Sequence, residues 1–165
     1  MANEFLCIKS YGFRTLLNET VQSPWYGLIK ELGVGKGTIT QATFITALDK
    51  YKILTGVLKD YSLEQKYRII SNYFNAIKDV YGQKWGASDS MVSKSLCLHA
   101  FLKNFPRVFS SLMEDKARFR VTDIVTLISP IKRVRIDSKR TSSLGGMKGA
   151  DELAGIFTTK IFGGN

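Results

Sequence analysis

The chain contains few of the residues that build metal sites, disulfide frameworks or irregular scaffolds: 2 cysteines, 3 prolines and 1 histidine among 165 residues. Cys7 and Cys97 form no C-x-x-C pair, and His99 is the sole histidine, so neither a zinc knuckle nor a disulfide framework is available. No apolar run approaches the roughly 18 residues of a membrane span. The sequence therefore predicts no resident metal or cofactor, no membrane partner and a reducing compartment.

The beginning of the chain also lacks the features of a secretory signal. Such a signal needs a positively charged start followed by an apolar stretch. Here Glu4 is acidic and the apolar run around Leu6 is too short. Together with the cysteine usage, this predicts a cytoplasmic protein.

What the chain does have is the composition of a folded domain with an excess of positive charge. Hydrophobic residues make up 44% and charged residues 23%, both near globular averages, and 165 residues is close to the usual size of one domain. The formal net charge is +10 and the pI is about 9.7, which favours phosphate-bearing or otherwise acidic partners. We expect a single helical domain over residues 1–165.

Capping residues and apolar periodicity predict helices in the first half. The segment Ser62–Gln65 is a capping box of the S-x-x-Q kind, ahead of an apolar stripe at alternating steps of three and four residues. The stripe consists of Tyr67, Ile70, Phe74, Ile77 and Tyr81. Upstream, Thr38 or Thr40 is suited to cap a helix that runs to about Leu58.

Further helices are predicted towards the C-terminus. They run from Ser88 or Ser90 to before Pro106, around Val108–Leu112, from Thr122 to about Ser129, and through a last helix that carries Leu153, Ile156, Phe157 and Ile161. The segment Ile131–Ile136 alternates imperfectly, which indicates a short exposed strand or extended segment. Residues 138–149 are predicted to form a basic loop rich in glycine and serine. The expected fold is mainly α: a compact helical domain of about five to seven helices with little or no β structure.

Three patterns resemble catalytic or metal sites, but for each of them a structural interpretation is favoured over a functional one. The segment Gly33–Thr38 lacks the Gly-Lys-Ser/Thr of a phosphate-binding loop and is typical of a flexible connection before a helix. On an apolar helix, His99 is expected to be packed and hydrogen-bonded rather than a base. A Mg²⁺-dependent nuclease would need Asp123, Asp137 and Lys139 to converge, but solvated loop charges are the favoured interpretation of these three residues. We predict no catalytic residues and no metal site, with the nuclease as an alternative.

Positive charge is concentrated in the C-terminal half. Between Lys103 and Arg140, 10 basic residues stand against 4 acidic ones. Contacts from such residues to phosphates supply affinity without sequence preference. The predicted nucleic-acid-binding residues are Lys132, Arg133, Arg135, Lys139, Arg140 and Lys148. A solvated charged face is the competing interpretation.

Several segments occur in the order found in a known family. They are Ser23–Ile29, Gly37–Phe44, Tyr73–Tyr81 with Trp85, Met91–Leu102 and Gly145–Gly149. In this order they resemble the region that follows the signature in DGQHR-domain proteins, a group related to the ParB-like fold that includes the DndB-like proteins of DNA phosphorothioate modification islands. The sequence Asp-Gly-Gln-His-Arg that names the family is absent, as is the ParB-like half that carries it. The chain therefore resembles the helical C-terminal portion alone.

The resemblance implies a non-enzymatic accessory or regulatory module of a DNA-modification, restriction or mobile-element system. Such a module would bind nucleic acid through its basic C-terminal half, and a protein partner would supply the missing ParB-like half. Homo-oligomerisation is compatible with the same sequence. The alternative is a protein interaction subunit that binds no nucleic acid, which exposure of Trp25, Tyr26, Phe74 or Trp85 would favour.

Overall fold

Helices dominate the computed structural model, which describes residues 12, 15, 17–30, 37–136 and 146–163. The α-helices with defined bounds are α1 (Gln41–Lys50), α2 (Leu63–Tyr81), α3 (Ser95–Lys116), α4 (Val121–Ile128) and α5 (Gly146–Phe162). Within the described ranges, β structure is limited to Ile29–Lys30 (β1) and Ile39–Thr40 (β2), which pair in parallel with Ile29 opposite Ile39. The prediction of a mainly α fold is confirmed.

The capping box predicted at the start of α2 is present. The Gln65 amide donates to Ser62 Oγ at 3.2 Å, and the Ser62 amide donates to Gln65 Oε1 at 2.8 Å. Two otherwise unsatisfied amides at the helix start are thereby bonded. The stripe that follows places Ile70, Phe74 and Ile77 in the core with no exposed surface. Local chemistry and burial therefore agree along this helix.

Helix α1 begins where predicted but ends earlier. The Thr40 hydroxyl caps it by accepting from the Thr43 amide at 3.2 Å. The helix ends at Lys50, and Ile53–Val57 forms a π-helix in which the Leu58 amide bonds the Ile53 carbonyl at 3.2 Å. Both Ile53 and Leu58 are fully buried, and residues five apart face different directions in an α-helix. The wider π turn places both side chains in the core, so the predicted α-helix to Leu58 is wrong.

Helix α3 differs most from expectation. It begins at Ser95 rather than at Ser88 or Ser90, and it continues through Pro106 to Lys116, so no separate helix exists at Val108–Leu112. Proline removes one backbone donor and costs a helix about 3 kcal/mol. Burial offsets this cost, since the helix buries apolar side chains on both sides of the proline. They are Leu98, Phe101, Leu102, Phe105, Val108, Phe109 and Leu112.

The segment after α4 also differs from the prediction. The predicted helix from Thr122 corresponds to α4, but Pro130 does not stop helical structure, because Ser129–Arg133 forms a 3₁₀-helix. Proline is tolerated in the first turn of a helix, where its missing N–H is not needed. The segment Ile131–Ile136, predicted as a short exposed strand or extended segment, forms no strand, although Val134 at the end of the 3₁₀-helix has an extended backbone. The three-residue spacing of a 3₁₀ turn instead buries Ile131 and Val134 on one side.

The last helix packs along α3 and begins earlier than predicted. Residues 146–149 belong to α5 rather than to the expected loop, and residues 138–145 lie outside the described residues. The Phe101 and Phe157 rings stack with centroids 5.1 Å apart. Buried Asn104 on α3 donates from Nδ2 to the carbonyl of Ala154 on α5 at 3.0 Å. An aromatic pair and one amide thus fix the register of the two helices.

An aromatic cluster fills the core between α1 and α2. The Trp25 ring lies 5.3 Å from Phe44, 5.0 Å from Phe74 and 4.9 Å from Trp85, all edge to face. The Trp85 indole donates to the Pro24 carbonyl at 2.8 Å. Gly37 lies against this region so closely that a Cβ there would be 2.5 Å from the Leu28 carbonyl oxygen. Glycine is required at that position by space.

Candidate nucleic-acid interface

Three of the six predicted nucleic-acid-binding residues lie together on one short segment. Lys132 and Arg133 belong to the 3₁₀-helix, Arg135 follows it, and all three side chains are exposed. Their apolar neighbours are buried, and the Tyr81 hydroxyl at the end of α2 donates to the Ile131 carbonyl at 3.1 Å. The cations are therefore displayed from a segment that is anchored in the core.

The fourth predicted residue lies on a neighbouring element. Lys148 is exposed in the first turn of α5, and α5 packs against the 3₁₀-helix. The start of a helix carries a partial positive charge that favours anions. Lys139 and Arg140 lie outside the described residues. The structure thus brings Lys148 onto an element adjacent to Lys132, Arg133 and Arg135.

Basic residues ahead of α4, which sequence reasoning did not select, extend this surface. Lys116 at the end of α3 and Arg118 and Arg120 just before α4 are exposed, while Lys132, Arg133 and Arg135 are exposed beyond the end of α4. Eight helical residues separate the two groups by about 12 Å. Exposed hydroxyl residues lie between them: Thr122, Thr126 and Ser129. We call these nine residues the basic face. The sequence signal that marks it is a stretch of 21 residues, 116–136, with a single acid.

That acid, Asp123, is buried beside two of the cations and offsets one of their charges. Its side chain is 8% exposed, and its carboxylate accepts from Arg118 Nε at 2.9 Å and Arg118 Nη2 at 3.2 Å. Lys116 Nζ approaches the same group at 3.4 Å. The hydrogen bond from Arg118 is the main cause that lowers the pKa of Asp123, although partial desolvation opposes it. The carboxylate is ionised and engaged by cations.

These contacts also bear on the alternative of a metal-dependent nuclease. Both oxygens of Asp123 already face cationic side chains, which compete with a metal ion. Asp137 and Lys139 lie outside the described residues. Among the side chains that the structure describes, no group of three His, Cys, Asp or Glu is placed to hold a metal ion.

The single histidine is packed, as expected, but it lacks the expected hydrogen bond at one nitrogen. His99 is 7% exposed, its ring lies 5.8 Å from that of Tyr51, and none of the described residues bonds its Nδ1. Burial, followed by the positive charge of Lys50, lowers the pKa of His99, while Asp151 opposes the shift. The neighbouring Cys97 is buried, which raises its pKa to about 12. Cys97 and His99 are two residues apart on α3, so their side chains do not face each other as a nucleophile and its base would.

We expect the stability of the protein to fall as the pH drops from 7.5 to 5.5, because of His99. The folded state holds its pKa below 6.5, so the unfolded chain takes up a proton first and unfolding is favoured as the pH falls through that value. Urea unfolding at both pH values measures the effect. His99→Gln is expected to flatten the pH dependence, since the chain has 1 histidine. An equally steep dependence in that variant would assign the effect to other groups.

The aromatic side chains that would mark a protein-binding surface are mostly internal. Trp25 and Phe74 are fully buried and Trp85 is 8% exposed, which leaves Tyr26, 52% exposed, at the surface. These four side chains therefore form no exposed aromatic patch that would favour a pure protein interaction subunit.

Comparison with known proteins gives no independent assignment of this surface. No family model, curated protein or solved structure matches the chain. Within the described ranges, the helices are too short or too polar to cross a bilayer. The function is therefore argued from the geometry and charge of the basic face.

Proposed function

We propose that this chain is a non-enzymatic module that binds nucleic acid through the basic face. The observation that carries the proposal is the exposure of six cationic side chains along one short stretch whose single acid is buried and paired. They are Lys116, Arg118, Arg120, Lys132, Arg133 and Arg135. Each cation that meets a phosphate releases condensed counterions, which gives affinity that depends on salt.

The hydroxyl groups between the two basic clusters suit the same ligand. Thr126 Oγ1 donates to the Thr122 carbonyl at 2.9 Å, and Ser129 Oγ donates to the Thr126 carbonyl at 3.3 Å, both along the exposed side of α4. Serine and threonine hydroxyls commonly contact phosphate or sugar. Each hydroxyl here would donate to a phosphate oxygen in place of the backbone carbonyl. A strand that crosses α4 would meet cations at either end and short polar side chains between them, and the one acid within residues 116–136 is buried.

The biological setting is proposed from the resemblance to the C-terminal portion of DGQHR-domain proteins. We propose an accessory or regulatory role in a DNA-modification, restriction or mobile-element system, together with a protein partner that supplies a ParB-like half. A pull-down from cells that encode such a partner, with the tagged full chain as bait, tests this setting separately from nucleic-acid binding. Recovery of no ParB-like protein would count against the partner.

Replacing Lys132, Arg133 and Arg135 together by glutamine is expected to weaken binding to a 20-base-pair duplex and to reduce its salt dependence. Each lost phosphate contact lowers the slope of log K against log salt by about 0.9, so the three changes should lower it by about 2–3. Fluorescence anisotropy from 50 to 200 mM salt measures both quantities. Because the three side chains are exposed, the fold should be retained.

The matched control removes the same charge away from the basic face. Lys52, Lys59 and Lys160 are exposed and lie on other segments, and their triple replacement by glutamine keeps the net charge equal to that of the first variant. We expect the control to retain nearly the wild-type slope. Equal losses in both variants would show that net charge alone attracts the duplex, and the basic face would then not be the binding site.

A further inference from the structure

A cavity of about 230 Å³ lies between α2 and the C-terminal half of α3, next to the basic face. Aromatic and apolar side chains form much of its lining, including Tyr61, Phe109, Met113 and Phe119. Sites for drug-sized molecules usually enclose roughly 300–1,000 Å³, so this cavity suits a smaller group. Its size favours one planar ring system.

The aromatic wall is held in place by direct contacts. The Phe109 ring lies 5.9 Å from Tyr61, edge to face, and 5.0 Å from Phe119. Asn72 Nδ2 donates to the Phe119 carbonyl at 2.9 Å, which ties the connection between α3 and α4 to α2. Tyr61 is half-buried, whereas the two phenylalanines are more than nine-tenths buried. Tyr61 is thus the ring most open to an incoming group.

Apart from Ile69, the remaining described residues of the lining are polar or cationic, and none of them is acidic. Arg68 and Arg118 contribute guanidinium groups, and Gln65 and Asn72 contribute amides. Arg68 is exposed and makes no ion pair within the described part of the chain. Arg118 lines the cavity and also belongs to the basic face, where it binds Asp123. The cavity is therefore continuous with the proposed phosphate-binding surface through one shared side chain.

We propose that this cavity takes one unstacked nucleobase from a single strand whose phosphates lie on the basic face. The proposal rests on the proposed function, which supplies the phosphate contacts. Bases stack on aromatic rings and on arginine, and amide and guanidinium groups hydrogen-bond their edges. Two guanidinium groups, of which Arg118 is paired with Asp123 and Arg68 is exposed, and no carboxylate among the described lining residues favour a polyanion over a neutral apolar peptide. The protein is accordingly expected to bind single strands more tightly than duplexes of the same length.

The test uses a 12-nucleotide single strand with one 2-aminopurine, whose fluorescence falls when the base stacks, and a duplex of the same length. Tyr61→Leu keeps an apolar side chain but removes the ring, and Arg68→Gln removes one exposed cation. Loss of one base contact is expected to weaken single-strand binding roughly 5- to 150-fold, equivalent to about 1–3 kcal/mol. Both variants should also reduce the quenching. Duplex binding should be unchanged.

Two controls separate a specific site from general effects. Tyr26→Leu removes an exposed tyrosine outside the cavity lining, and Lys160→Gln removes an exposed cation on α5. Neither is expected to alter single-strand preference or quenching. Thermal unfolding of Tyr61→Leu checks that its fold persists. If Tyr61→Leu is unstable, Arg68→Gln provides the readout, because it changes only a surface side chain.

The outcomes distinguish this inference from the proposed function. If the wild type binds neither single strand nor duplex, both proposals are wrong. In another outcome, the wild type binds single strand and duplex, and both affinities are reduced in the basic-face variant. If Tyr61→Leu and Arg68→Gln then change neither the preference for single strands nor the quenching, only the nucleobase site is overturned. Binding of a tryptophan-containing acidic peptide that depends on Tyr61, with no effect of Tyr61 on the oligonucleotide, would also overturn it by assigning the cavity to a protein partner.

Discussion

Replacing Phe74 by alanine is expected to lower the free energy of unfolding by about 3–5 kcal/mol. Its ring has no exposed surface and lies 5.0 Å from Trp25, 5.4 Å from Tyr73 and 6.0 Å from Trp85. Truncation removes apolar burial and leaves a cavity that these large rings cannot readily close. Urea unfolding followed by tryptophan fluorescence measures the change, since both tryptophans contact the site.

A matched truncation on the same helix provides the control. Tyr67 belongs to the same apolar stripe but is half-buried, about two turns nearer the helix start. Tyr67→Ala should therefore cost clearly less, because solvent can occupy part of the vacated space. A loss below about 1 kcal/mol for Phe74→Ala would contradict full enclosure of the ring, and such a small value is typical of surface substitutions.

The helix that carries Phe74 shows why part of the fold is predictable from sequence. Its start depends on Ser62 and Gln65, which are three residues apart, and its buried side follows from spacings of three and four residues. The Thr40 cap of α1 is equally local. Each of these interactions joins residues within one helical turn, so the chain order alone specifies them.

The long helix α3 shows where local reasoning fails. Pro106 is a strong local stop signal, yet α3 continues because distant residues support the helix on both sides of it. The Tyr73 hydroxyl donates to the Phe101 carbonyl at 2.9 Å across a separation of 28 residues. The helix is also packed along α5. No pattern within a short window reveals such partners, so tertiary packing overrides the proline.

The basic face depends partly on local sequence and partly on tertiary packing. The exposure of Lys132, Arg133 and Arg135 agrees with the sequence expectation that basic residues in this stretch lie at the surface. The contribution of Arg118 and Arg120 depends on α4, which packs on α2 and turns one side of residues 116–136 towards solvent. The pairing of Asp123 with Arg118 spans five residues. An acid five residues from an arginine in a basic stretch is visible in the sequence, whereas the cavity is formed by three segments that are separate along the chain.

Asn104→Asp is expected to destabilise the protein by about 3–5 kcal/mol at neutral pH, the range observed when a buried charge lacks compensation. Asn104 is 4% exposed, and its Nδ2 donates to the carbonyls of Ala100 at 3.1 Å and Ala154 at 3.0 Å. A carboxylate has no proton to donate, so it would face two carbonyl oxygens inside the interface of α3 and α5. Urea unfolding at pH 7.5 measures the loss.

Thr158 provides the comparison and pH provides the decisive check. The Thr158 hydroxyl lies 2.6 Å from Asn104 Oδ1 and 2.9 Å from the Ala154 carbonyl, so Thr158→Val removes one neutral hydrogen bond and should cost only about 1 kcal/mol. Burial favours the protonated form of the introduced carboxyl group, which raises its folded-state pKa above the unfolded value. The stability difference between wild type and Asn104→Asp should therefore shrink as the pH falls towards 4, because the folded variant then takes up a proton that restores one donor. A difference that stayed constant between pH 7.5 and 4.5 would mean that the group is solvated, and that Asn104 does not form a buried polar link between the two helices.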